Sequence, residues 1–570
     1  MIRLQEIEQT MKRLTTIIIA LSAAGMVSAQ NLTAEIDVER TVVPRLTLQS
    51  PLPSVFPSVI PSTSSPMSLT LSEYSGGAVD YTSRPGGLLG PSFTGIAGRS
   101  PYRGYAWAGY LPAYNLGIGA GYRFVESENT SAGAAMQFDG SNYSAHLPSG
   151  ATKTVNDNTF GVQVDFRHRF SDKARVGAFV NYSHAALSAP TLSNRGQSQK
   201  IDDFDVALSF DGRHRSLGYG VSATVGRFAL GDDVLLGEGA EAAALQGPAE
   251  TLFGLRAGLG GSTSDSIFRF RLEAGVDMKH RRGSVWTGEI FEAIDKANPM
   301  IVSLDPTVGF LLGNVSIDLG ANVDISSNLD GSSFHVAPQV NVAWTPSARF
   351  AFFANSNSNG GAQMTNLRSI YNYSPFAPGA LAYDATFSPV NARAGFSFGP
   401  FSGFTAEVYG RYASTRRAPL LAVVGGETPL AALTPTNVKG WGAGLKLGWT
   451  CRVATVSGSV EVLQHGVDRG FADEPDRAGI VADVNAQVRP IEKLGINAGW
   501  HLRAQRSYLM EGRCIGMRNI SRLDFGAEYR VTDPLSIFFR LENLLCRRPE
   551  IIPGLTTPGL HGLVGAVYRF

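Results

Sequence analysis

The chain closes on Gly562-Leu-Val-Gly-Ala-Val-Tyr-Arg-Phe570. Side chains of an extended strand point alternately to its two faces. Val564, Ala566, Tyr568 and Phe570 therefore share one face, and Leu563, Gly565, Val567 and Arg569 share the other. One strand does not make a fold. Upstream sequence has to supply a wall for it to join.

The clearest such stretch is 266–279. Phe268, Phe270, Leu272, Ala274, Val276 and Met278 fall on one face, and Arg269, Arg271, Glu273, Asp277 and Lys279 on the other. A helix would scatter these charges around its circumference, whereas period two separates them. The pattern repeats. Leu523, Phe525, Ala527 and Tyr529 oppose Arg522, Asp524, Glu528 and Arg530; Leu535, Ile537, Phe539 and Leu541 oppose Ser536, Arg540 and Glu542. Phe204, Val206, Leu208 and Phe210 oppose Asp203, Asp205, Ser209 and Asp211. Two further strands follow the rule, with Val162, Val164 and Phe166 against Gln163, Asp165 and Arg167, and with Ile496, Ala498 and Trp500 against Asn497 and His501. Charges of both signs on one face suit a wet lumen. On a lipid face, a mid-membrane Arg costs about 2–4 kcal/mol.

Connections alternate in length. Tight ones fall near Glu126–Ser131, 171–173, 212–216, 261–265, 313–314, 345–347, 399–400, 450–452, 490–492 and 532–534. Longer polar or Gly/Pro-rich ones fall near 188–200, 231–249, 282–299, 357–385, 416–435, 467–478, 506–518 and 546–559. Short turns on one rim and long loops on the other mark an antiparallel transmembrane outer-membrane β-barrel, turns periplasmic and loops extracellular. Counting back from Phe570 to Arg103 predicts about 22 strands, an even number that places both termini on the periplasmic side.

Composition agrees. Of 570 residues only 17% are charged and 64 are Gly. No apolar run approaches the roughly 18 residues of a spanning helix. A net charge of +1 gives no reason to expect nucleic acid. Residues 1–29 read as a signal peptide whose expected start is Met11: Lys12 and Arg13, an apolar core from Ile17 to Val27, then the cleavage signal Val27-Ser-Ala29. Residues 30–101 carry Pro44, Pro51, Pro53, Pro57, Pro61 and Pro66 among Ser and Thr, so they read as an extended periplasmic segment rather than a globular plug. The barrel is expected over 102–570. Cys514 and Cys546 both fall in expected outward loops and are the candidates for a disulfide, with Cys451 in a tight turn on the opposite rim.

No enzymatic or cofactor-binding constellation stands out. The nine His are scattered without metal-ligand spacing. His184 near Ser188, and His465 near Asp468, are the nearest approach to a hydrolase pattern. The candidate lumen-facing residues are Asp203, Asp205, Arg269, Arg271, Glu273, Asp277, Arg522, Asp524, Glu528, Arg540 and Glu542.

Leu541-Glu-Asn-Leu-Leu545, the Pro553-Gly and Pro558-Gly loop and the closing strand to Tyr568-Arg-Phe570 resemble the end of TonB-dependent outer-membrane receptor barrels. Arg103-Gly-Tyr105 through Tyr122 resembles the first hairpin of short, plugless relatives. The resemblance implies that Tyr568 and Phe570 are read by the barrel-assembly machinery, that the wall meets outer-membrane lipid, and that the role is transport. The family's large plug has no counterpart in 30–101, so long outward loops, the N-terminal segment or a periplasmic or surface protein partner is expected to fill the lumen, with an uptake receptor of reduced plug or a non-transporting scaffold as the alternative roles. Glu35-Ile-Asp-Val38 is the nearest match to a TonB box.

Overall fold

The computed structural model describes residues 102–570, apart from 112–114, 147–151, 172, 189–197, 232–248, 264–266, 287–290, 329–330, 357–360, 365–384, 425–429, 468–477, 511–512, 553–554 and 557–558. The expected signal peptide and Pro-rich segment lie outside the described residues. So do His465 and Cys514 as side chains, whereas Cys451 and Cys546 are free thiols.

Among the described residues, 22 antiparallel strands close into one barrel, running from Gly104–Leu111 to His561–Arg569. Closure is a ladder between these two, pairing Tyr105 with Arg569 through Tyr110 with Val564. At the rim the Phe570 carbonyl accepts the amides of Arg103 (2.8 Å) and Gly104 (2.7 Å), and the Phe570 amide donates to the Gly104 carbonyl (2.9 Å). The Phe570 ring stacks on Tyr122 at 6.2 Å. An unclosed edge in lipid would leave a row of unpaired amides and carbonyls, so the sheet must meet itself.

The alternation expected over 266–279 is present on the strand Phe268–Trp286. Phe270, Leu272, Val276 and Met278 are exposed, while Asp277, Lys279 and Arg281 are buried on the opposite face. Phe204, Leu208, Phe210, Val164, Phe166, Ile537, Val564, Tyr568 and Phe570 are exposed in the same way. The apolar face points out of the barrel.

Two differences from the sequence reading concern the long-loop rim. Connections there are short between Leu111 and Asn115 and between Asn328 and Gly331. The stretches expected as loops near 416–435 and 506–518 are instead strand extensions, Phe404–Val424 against Leu430–Thr450 and Arg506–Met510 against Arg513–Met517. These two hairpins reach each other, and Ala422–Val423 pairs in parallel with Leu509–Met510. Backbone groups rising beyond the wall still need partners, and a neighbouring hairpin supplies them. Loop composition hid this because these stretches carry the Gly and Pro that sequence reading assigns to turns.

The seam is the second surprise. The face of the last strands opposite the exposed one is not uniformly polar: Tyr105, Trp107, Phe538, Leu563 and Val567 form a buried apolar cluster there. Their rings and branches lie on glycines. A Cβ on Gly117 would stand 2.7 Å from the Trp107 ring, and one on Gly109 would stand 2.6 Å from Leu563. A Cβ on Gly119 would enter the indole itself. Asn115–Glu126 thus alternates Leu116, Ile118 and Tyr122 outward with Gly117, Gly119 and Gly121 under the rings. Large residues beside glycines on neighbouring strands pack as one layer. Gly119→Val should therefore reduce the fraction of barrel that migrates as folded, heat-modifiable protein on unboiled gels. Ala120→Val, on the outer face of the same strand, should leave it near wild type.

Candidate functional site

The charged side chains concentrate on the face opposite the exposed apolar one, and the strand registers bring them together across ladders. Arg269 donates to Asp318 (Nε–Oδ1 2.9 Å) and to Ser316 (2.8 Å), and Asn341 donates to the second Asp318 oxygen at 3.1 Å. Arg271 lies 3.4 Å from Glu273 two residues along its own strand. Asp277 accepts from Arg256 at 2.8 Å.

One strand turn further, Glu250 is held between two cations. Its carboxylate accepts from Lys279 at 2.9 Å and from Arg281 at 2.7 Å, and all three side chains are buried. Ladder pairing explains the match: Glu250 sits opposite Arg281, and Leu252 opposite Lys279.

The second half of the barrel carries a parallel arrangement. Arg522 pairs with Asp524 at 2.6 Å, Arg569 with Glu528 at 3.0 Å, and Arg540 with Glu542, which His561 also approaches at 3.4 Å. His501 joins this group through Asp483 (2.7 Å) and lies 4.0 Å from Asp524. Asp203 and Asp205 stand on Ser198–His214, opposite Ser183 and Asn181. Of the residues singled out from sequence, four thus share Phe268–Trp286 and five share the last wall strands, while the two Asp stand apart on their own strand.

Sequence reasoning missed a third group. Arg393 stacks on Tyr409 (3.7 Å to the ring centre) and on Phe353 (5.2 Å), and pairs with Glu407, which Lys446 also approaches at 3.5 Å. Arg411 lies 3.2 Å from Glu461. The members lie on separate strands, Arg393 on Ala385–Phe401, Glu407 and Arg411 on Phe404–Val424, Lys446 on Leu430–Thr450 and Glu461 on Ala454–Val467, so the network emerges from registers rather than from any one stretch. A cation over a ring face and a facing carboxylate satisfy Arg without water.

His184 Nδ1 donates to Asp202 at 2.8 Å, and the same carboxylate accepts the Tyr182 hydroxyl at 2.9 Å. Among the described residues no group of three or more His, Cys, Asp or Glu is placed to hold a metal ion. The chemistry this wall offers is polar lining: fixed, paired charges of both signs along a surface.

The wall is not bare. The short strand Gly361–Met364 leaves the line of the wall and lies across this polar face. It pairs with Ala385–Ser388, its Ala362 amide donates to Asp324 at 2.7 Å, and Met364 packs on Ile301 and Ala385 with Leu252 alongside.

No protein-family model matches the chain, and no curated protein matches it in sequence. Solved structures do match its fold. The FrpB iron transporter from Neisseria meningitidis (F3-3 variant) aligns with a TM-score of 0.62 at 12% identity, over 83% of this chain and 82% of that one. The copper transporter OprC aligns at 0.59 and 10% identity, over 83% and 80%. The siderophore receptor PiuA from Acinetobacter baumannii aligns at 0.58 and 9%, over 84% and 82%. The chain thus has a TonB-dependent-receptor-like barrel, a likeness of fold at identities too low to carry function with it.

Burial decides which of these ion pairs matters for stability. Glu250→Gln leaves Lys279 and Arg281 buried without their carboxylate, and should lower unfolding stability in detergent by about 3–5 kcal/mol. The Arg175–Asp211 pair is mostly exposed (72% and 49%). Asp211→Asn should cost about 0–1 kcal/mol in the same urea titration.

Proposed function

We propose that this chain is an outer-membrane barrel that acts in transport or as the membrane subunit of an envelope complex, without a globular plug of its own. Residues 1–29 are its export signal, with the start at Met11. Residues 30–101 are an extended periplasmic segment, and both termini face the periplasm. The polar face lines the lumen, with Asp203, Asp205, Arg269, Arg271, Glu273, Asp277, Arg522, Asp524, Glu528, Arg540 and Glu542 on it. A periplasmic or surface protein closes what the chain leaves open.

One observation carries this reading. The first wall strand begins at Gly104, whose amide donates to the Phe570 carbonyl, and the stretch before it is rich in proline. Six prolines fall between Pro44 and Pro66 in that stretch. Chain so interrupted cannot build the hydrogen-bonded sheet of a large plug. The three aligned proteins, described as an iron transporter, a copper transporter and a siderophore receptor, support a role in passage rather than catalysis. An uptake receptor with a reduced plug, and a scaffold that transports nothing, are the competing roles.

Tyr568 and Phe570 serve as the assembly signal. Phe570 presents its ring outward at the rim, half exposed, beside Tyr568 at 6.2 Å. Removing Phe570 should lower the amount of folded barrel recovered from membranes, while the same variant refolded in detergent still forms a heat-modifiable species. Equal loss in both settings would make the residue structural instead.

The role is tested by extraction in mild detergent followed by single-channel recording. A subunit or passage barrel yields a protein that co-purifies in fixed ratio, and measurable conductance once that protein is stripped away. Deleting 30–100 raises the conductance further if the arm occupies part of the lumen. Negligible conductance from both forms, with no companion protein, would leave only the scaffold role.

A further inference from the structure

The strand Phe350–Ser356 pairs with both its neighbours, Gly331–Ser347 and Ala385–Phe401, but only up to Val340 on the first and Ala392 on the second. Further along, and among the described residues, Gly361–Met364 pairs with Ala385–Ser388 alone. The displaced segment does not fall outward into lipid. Asp324, which receives the Ala362 amide, is laddered to Ser303 and His335 on the polar face. Ile301, which receives Met364, is laddered to Asp277 on the same face. Leu252, three wall strands beyond Asp324, packs against the same cluster. Gly361–Met364 therefore reaches from the Ala385 strand across the inner surface to the strands that carry Asp324 and Ile301.

The segment is fixed rather than draped. Met364 is fully buried (0%) and Asp324 nearly so (3%). Gly361 has φ +95°, a region that L side chains rarely adopt. A Cβ there would run into the Asp324 carboxylate and stand 3.1 Å from that of Asn322. Phe387, the ladder partner of Ala362, is backed by the His335 ring at 4.4 Å and by Arg416 at 5.9 Å. A buried carboxylate bonded to a backbone amide, a seated apolar side chain and a glycine-only approach hold one conformation.

We propose that Gly361–Met364 is the constriction element of the lumen, latched by Asp324 and seated by Met364, and that it sorts hydrated solutes by size. The latch carboxylate is engaged by the Ala362 amide, so the element adds bulk to the passage without adding a free charge. This rests on the reading of the barrel as a passage.

The test uses the full chain with Cys451, Cys514 and Cys546 replaced by Ser, recorded in planar bilayers. Asp324→Ala combined with Met364→Gly should raise single-channel conductance roughly two-fold or more, because the opening widens, whereas Asp324→Asn, which removes the same charge but keeps an oxygen acceptor for the Ala362 amide, should leave conductance near wild type. In a second arm, Ala362→Cys is treated with a bulky thiol reagent, and current should fall by a similar factor. This arm decides the matter even where the double variant does not fold. Conductance that is present but unmoved in both arms overturns the constriction and leaves the passage reading standing. No current from any folded form, latched or unlatched, sinks both.

Discussion

The ladder between Gly104–Leu111 and His561–Arg569 is the interaction on which everything else depends. A membrane offers no hydrogen-bonding partner to a sheet edge, so 22 strands are viable only as a ring. Closure also fixes the inside and outside of every other strand at once, since a one-residue slip at the seam would exchange the two faces. Its register is secured twice over. Phe570 takes the amides of Arg103 and Gly104 at the rim. Across the seam Leu563 lies on Gly109, a position where a slip would place Ala108 or Tyr110 beneath it.

Once the ring is closed, the charged residues have few options. Several cations on the second face reach carboxylates on nearby strands, as with Lys279 and Arg281 around Glu250, or Arg269 and Asp318. These pairs pin neighbouring strands and leave a surface of balanced sign. Near the seam the same face turns apolar, with Phe538, Leu563 and Val567 joining Tyr105 and Trp107. The second face is thus uneven, with a charged sector and a greasy one, and Gly361–Met364 covers part of the charged sector.

Much of this was legible in advance. The faces of 266–279, 203–211 and 522–530 could be assigned because their alternation is strict and their charges all fall on one side. The short turns could be placed because Gly313-Asn314 or Thr532–Pro534 interrupt that alternation with residues suited to nothing else. The Arg393–Tyr409–Glu407 network could not be seen, because its members lie on two strands that each look ordinary alone. The parallel contact between Ala422–Val423 and Leu509–Met510 was hidden for a similar reason. It joins segments nearly ninety positions apart that composition marks as loop.

What the amino-acid sequence determined by itself was local and periodic: which residues face lipid, where strands end, and that the last strand finishes on an aromatic ring. Alternation is a property of each strand alone, so it survives without knowledge of neighbours. Which carboxylate meets which cation, where the wall turns apolar, and that Gly361–Met364 leaves the wall for the inner surface were decided only by the tertiary structure. Those outcomes depend on registers between strands and on how a closed ring fills its own interior, and no single stretch encodes either.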